Sequence, residues 1–251
     1  MKKILACLVC IVMMFALASC VNNQGGNNGG NNGGNSGGNN NGGDVTVMTY
    51  DEYAAAELEA KVVIEAYVQA TQTWWFDSKV NHGKISVYAQ DNDGAYFLYE
   101  MACSEEDAAK LTAGAKIRVV GYKAEWSGEI EITDCHFITL EADAWVAEAT
   151  DVTALLGTTE LINHQNKFVS FSGLTVKSVV YQNGAPGKDI YVTVTYNGAD
   201  YDFCVESYLT APGTDLYAAV GALNAGDVID VEGFLYWYNG VNTHITKVTV
   251  K

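Results

Sequence analysis

The sequence predicts an all-β fold with short helices: two tandem five-stranded barrels behind a disordered Asn/Gly linker. Three observations carry that prediction. One unit of sequence occurs twice, apolar residues alternate with period two through most of the chain past residue 43, and the composition is rich in Tyr and β-branched residues with only two Pro.

The repeat comes first because it sets the domain count. Leu111-Thr112-Ala113-Gly114-Ala115-Lys116-Ile117-Arg118-Val119-Val120-Gly121 aligns without gaps on Leu223-Asn224-Ala225-Gly226-Asp227-Val228-Ile229-Asp230-Val231-Glu232-Gly233. The register continues through Tyr122 on Phe234, Trp126 on Tyr238 and Gly128 on Gly240. Upstream, Val62, Ile64 and Ala66 fall on Val169, Phe171 and Gly173 at a slightly smaller offset, so the second copy carries a few inserted residues. Self-similarity of this kind marks a duplicated structural unit. The implied division is 1–19 leader, 20–43 linker, 44–143 first domain and 144–251 second domain.

Each copy reads as five strands and one helix. In the first, Val62, Ile64, Ala66 and Val68 alternate with Val63, Glu65, Tyr67 and Gln69, the signature of a half-buried strand. Ile85, Val87 and Ala89 form a second strand, Asp91-Asn92-Asp93-Gly94 a turn, and Ala95, Phe97 and Tyr99 the returning third. Ser104-Glu105-Glu106-Asp107 then opens a short helix with a capping signature, ending near Gly114. Ile117, Val119 and Gly121 form the fourth strand, Ser127-Gly128 the turn, and 129–140 the fifth. In the second copy strands are expected near 168–176, 189–196, 200–206, 227–236 and 241–250, with a helix over 214–221. Helical patches over 49–59, with a Thr49/Glu52 capping signature, and over 150–161 precede the two barrels.

Three strands, a helix and a two-strand hairpin is the order of the OB-fold, a small Greek-key barrel. Gly121 and Gly233 in the fourth strands, and Gly173 in a first strand, permit the sharp bends such a barrel needs. Residues 44–251 thus resemble the tandem OB-type domains of bacterial surface lipoproteins, which implies a binding module.

The N-terminus is similar to a lipoprotein leader. Lys2 and Lys3 precede an apolar run from Ile4 to Leu17, too short to span a bilayer, and the run ends in Leu17-Ala18-Ser19-Cys20. That tetrapeptide resembles the bacterial lipobox, which implies a removed signal peptide and lipidation of Cys20 by diacylglyceryl and palmitate-type chains. From Val21 to Gly43 nearly every residue is Asn or Gly, a segment with too little to bury to offset its ordering entropy. The expected localisation is the cell envelope, extracytoplasmic and lipid-anchored to the membrane.

Charge and cysteines exclude several classes. The net charge is −16, and removing Lys2 and Lys3 takes it to −18. Arg118 is the chain's one arginine. Such a chain repels phosphate, so nucleic acid ranks below a neutral partner at this stage. Beyond Cys20 stand Cys103, Cys135 and Cys204, with no C-x-x-C pair, which leaves a Cys103–Cys135 bridge open and indicates no zinc ribbon. Asp91-Asn92-Asp93-Gly94 lacks the distal Glu of a calcium loop, and His82, His136, His164 and His244 show no ligand spacing. No cofactor, metal or catalytic motif is implied.

The candidate site is aromatic. On the OB plan the first–second loop, carrying Trp74-Trp75-Phe76, meets the fourth–fifth loop, carrying Trp126, beside a sheet face bearing Tyr88 and Tyr96. Trp237 and Tyr238 in the last hairpin, and Tyr181, are the second copy's counterparts. A rim of flat rings suits stacking. The expectation is a non-enzymatic, membrane-tethered module for a neutral ligand such as a glycan or peptide. The alternatives are single-strand nucleic-acid binding on the same rim, and a structural spacer or protein-docking lipoprotein.

Overall fold

The alternating segments of the sequence pair into two sheets. The structure, a computed structural model, describes residues 46–141 and 145–251. The leader, Cys20 and the Asn/Gly segment lie outside the described residues.

The first sheet contains β1 (Lys61–Thr71), β2 (Trp75–Asp77), β3 (His82–Gln90), β4 (Ala95–Ala102), β5 (Lys116–Trp126) and β6 (Glu129–Glu141). Its order is β1-β5-β6-β4-β3-β2, and an additional β1–β3 pairing closes the hydrogen-bonded circuit through five of the strands. The second contains β7 (Thr150–Asp151), β8 (Phe168–Tyr181), β9 (Ile190–Tyr196), β10 (Ala199–Val205), β11 (Val228–Phe234) and β12 (His244–Val250). Its order is β11-β12-β10-β9-β8-β7, with β11–β8 as the closing pair. Two β-rich, OB-like units in tandem follow. β4 with β6 and β10 with β12 are the parallel pairs expected between third and fifth strands. The short β2 and β7 are additions to the five-strand plan.

Each unit has its own apolar core. Val62, Ile64, Ala66 and Val68 are fully buried in the first, and Val169, Phe171, Leu174 and Val176 in the second. Two bends are steric. A Cβ on Gly121 would lie 2.5 Å from Ile132 Cγ2 and 2.6 Å from Cys135 Cβ, and one on Gly233 would collide with the His244 carbonyl. The strand register shifts at both places.

Helices are shorter than the sequence suggests. α1 (Tyr50–Ala55) has the Thr49/Glu52 capping box, and the Lys123 ammonium donates to the carbonyls of Tyr53, Ala54 and Ala56 at its C-terminal end. α2 is Glu105–Ala108 and α3 is Asp215–Gly221, capped by Ser104 and Thr214. The helix expected over 150–161 is corrected. Asp151 Oδ1 accepts from both Thr153 N and Thr153 Oγ1, a side-chain turn that competes with a helix. Gly157, at φ +88°, also breaks the run. The segment instead gives β7 and two 3₁₀ turns, Thr153–Leu155 and Leu161–His164. Cys103, Cys135 and Cys204 are free and buried, so no Cys103–Cys135 bridge forms.

The units meet along a third, aromatic cluster. Tyr88 and Phe97 of the first pack on Phe234 of the second, with Tyr88 and Phe234 stacked at 4.4 Å and 19°. Polar contacts flank the rings: Phe168 N donates to Gln90 Oε1 (2.8 Å), Asn166 Nδ2 to the Ile130 carbonyl (2.9 Å), and Asn239 N to the Ser127 carbonyl (2.7 Å).

Candidate functional site

Period-two alternation decides which aromatic residues reach one place. In the extended segment 74–76, side chains point to opposite sides in turn. Trp75 therefore lines a cleft between the two units, while Trp74 and Phe76 line a separate groove with His82, Cys103 and Phe137. Trp74 is anchored there by Nε1 donating to the Cys103 carbonyl (3.0 Å). Trp126 comes to the same cleft as Trp75. It ends β5 at a two-residue turn, Ser127 and Gly128, both at positive φ as a type I′ hairpin requires. A side chain on Gly128 would also strike Trp237.

The cleft encloses about 1000 Å³. Its first wall carries Trp75, Tyr99 and Trp126; its second carries Tyr191, Tyr208, Tyr236 and Tyr238. Trp126 is 61% exposed and Trp75 42%. So much aromatic surface facing one concavity is unusual for a surface with no partner. Tyr88 and Tyr96 do not join it. Each is 1% exposed: Tyr88 in the seam between the units, Tyr96 in the first core against Tyr53, with ring centroids 4.9 Å apart. The OB plan places them on a solvent face, and docking of the second unit together with α1 covers that face. Trp237 and Tyr181 pack against the second core, while Tyr238 reaches the cleft.

The electrostatics of the lining are one-sided. Glu100, Asp189, Asp202 and Glu206 line the cleft, and no Lys or Arg does. Lys84 stands at the edge, 5.3 Å from the Trp75 ring centroid, and is paired with Asp77 (3.0 Å) and Glu100 (2.8 Å). Lys123 is buried against α1. Both ammonium groups are thus engaged within the first unit. Burial, with Asp189 adding to it, raises the Glu206 carboxyl above its usual range.

His244 is the residue that sequence reading missed. It begins β12, opposite Cys204 on β10, and is 6% exposed at the cleft. Its Nδ1 lies 2.6 Å from the Tyr88 hydroxyl, which accepts from Gln72 Nε2 (3.3 Å). The Tyr88 proton therefore goes to Nδ1, and the imidazole carries its own proton on Nε2. Burial lowers its pKa to about 3, so the ring is neutral. Tyr236 stacks on it at 4.3 Å and 20°. Ile245 faces the second core, so His244 points the other way, onto the face that Tyr88 of the first unit covers.

Among the described residues, no group of three or more His, Cys, Asp or Glu is placed to hold a metal ion. Asp91 Oδ1 accepts from Asp93 N (2.8 Å) and Gly94 N (2.7 Å), closing a turn on itself. Among those residues, too, no helix is long and apolar enough to cross a membrane.

No family model and no curated protein matches the chain. Solved structures do. One described as a murine DNA binding protein bound with double-stranded DNA aligns at 10% identity and a TM-score of 0.37, over 75% of this chain and 96% of that one. The p202 HIN1 domain in complex with a 12-mer double-stranded DNA aligns at 12% and 0.32, over 78% and 96%. A Replication Protein A heterotrimer bound to single-stranded DNA aligns at 12% and 0.32, over 79% and 51%. The likeness is one of fold, a tandem OB/HIN-like pair. The expectation of a lipid-anchored surface protein for a glycan or peptide, with nucleic acid ranked below and with a membrane partner, a palmitate anchor and an envelope localisation, is corrected to this extent: the ligands named for these structures are DNA, and the leader and Cys20 lie outside the described residues.

Proposed function

We propose that residues 44–143 and 144–251 are two OB-type barrels that together form a non-enzymatic binding module for single-stranded nucleic acid, held by its bases. The observation that supports this most is the cleft itself, with aromatic rings on both walls and the ends of the strands between them. Exposed bases stack on such rings, each contact contributing about 1–3 kcal/mol. The lining carboxylates and the absence of Lys and Arg mean that the bases enter while the phosphates stay outside.

That arrangement reverses the usual salt response. Most nucleic-acid modules lose affinity as salt rises, because phosphate contacts release counter-ions. Here added salt or magnesium screens the repulsion between an acidic protein and the strand, so affinity rises. Fluorescence anisotropy with a labelled oligothymidine strand, titrated at increasing salt, tests this. Trp126→Ala should weaken binding by about 1–3 kcal/mol, with the melting temperature unchanged. Affinity that falls with salt, or a Trp126→Ala variant that binds as the wild type does, counts against the reading.

The same carboxylates favour a second reading, a small organic cation held by ring faces and negative charge. Salt separates the two, since it weakens that complex.

A further inference from the structure

We propose that the cleft floor selects guanine among the bases, through His244, Glu206 and Asp189. This rests on the single-strand reading above and adds the identity of the base.

The floor presents one donor and two acceptors. His244 Nε2–H is the donor: Nδ1 is taken by Tyr88, and Nε2 has no partner among the described residues on a side chain that lines the cleft. Glu206 accepts Leu209 N on Oε2 (2.7 Å) and leaves Oε1 without a side-chain partner. Asp189 accepts Ser207 N (2.9 Å) and Ser207 Oγ (2.7 Å), both on Oδ1, which leaves Oδ2. The three groups are adjacent. His244 pairs with Cys204 across β12 and β10, Glu206 lies two residues on, and Ser207 ties Asp189 beside it.

The pairing edge of guanine carries one acceptor, O6, beside two donors, N1–H and the N2 amine. That pattern complements the floor. Adenine sets the N1 lone pair against a carboxylate. Cytosine offers one donor and two acceptors, and thymine a single donor between two acceptors. Tyr236, stacked on His244, supplies a ring face next to the same donor.

Changing the ligand tests this without disturbing the fold. A short oligothymidine strand is compared with the same strand carrying one central guanine, inosine or adenine, each titrated against the full chain. The guanine strand should bind roughly tenfold more tightly than plain oligothymidine, and inosine, which lacks the N2 amine, should fall between them. His244→Phe keeps a ring against Tyr236, removes the donor and should erase the guanine preference; should it fail to fold, the ligand series still decides. Equal binding of guanine, adenine and thymine strands overturns this inference and leaves the single-strand reading standing. Binding of none overturns both.

Discussion

Glu129 has no exposed surface, yet its environment is built for a carboxyl group. Oε2 accepts from Trp237 N (2.8 Å) and Gln165 Nε2 (3.1 Å), both from the second unit, while Oε1 and the nearby Asn166 Oδ1 lack partners. Burial raises the Glu129 pKa to about 9, so it holds its proton in the folded chain, and that proton is the donor two otherwise unpaired acceptors need. The unfolded chain releases it near 4.5. Between those values the unfolded state binds fewer protons, so this group lowers stability as pH rises from about 4.5 to about 9, with no further effect outside that window. Glu129→Gln, neutral at every pH, should remove that slope and stabilise the protein at pH 8 by on the order of a few kcal/mol. Urea melts across the pH range would show it, and a Gln variant with the wild-type slope would assign the proton elsewhere.

The strands divide into what the chain announces and what packing decides. The pattern from Val62 to Val68 and the repeat ending in Gly121 and Gly233 were legible, because a period of two and a missing Cβ are local properties. Gly233→Val should destabilise more than Gly121→Val, each by about 1–3 kcal/mol or above. The obstacle at Gly233 is a backbone carbonyl at 2.2 Å, whereas at Gly121 the two nearest atoms are Ile132 Cγ2 and Cys135 Cβ at 2.5 and 2.6 Å, and the closest carbonyl, that of Thr133, is farther off at 2.9 Å. Paired thermal melts would rank them, and neutral behaviour at Gly233 would contradict the bend. What could not be read was the far side of each strand. Trp74, Trp75 and Phe76 form one aromatic word in sequence, yet the 75–77 strand sends them to two different grooves. Tyr88 reads as a solvent-facing strand residue until a second unit lies against it, and His244 has no motif because its partner is 156 residues away.

At the scale of the molecule, the seam around Tyr88, Phe97 and Phe234 ties the two units together. Phe234→Ala removes the ring stacked on Tyr88 and should cost about 3–5 kcal/mol, with the two units then unfolding in separate steps. One unbroken transition in calorimetry would mean the flanking polar contacts couple the units unaided. Trp75, Tyr99 and Trp126 come from one copy of the repeat, and Tyr191, Tyr208, Tyr236 and Tyr238 from the other, at positions that are mostly not equivalent. The repeat therefore does not carry two copies of the cleft. Its lining needs both halves, and the halves are not interchangeable. Swapping them or running two first copies in tandem would keep two folds and lose the cleft, because its two walls need different side chains.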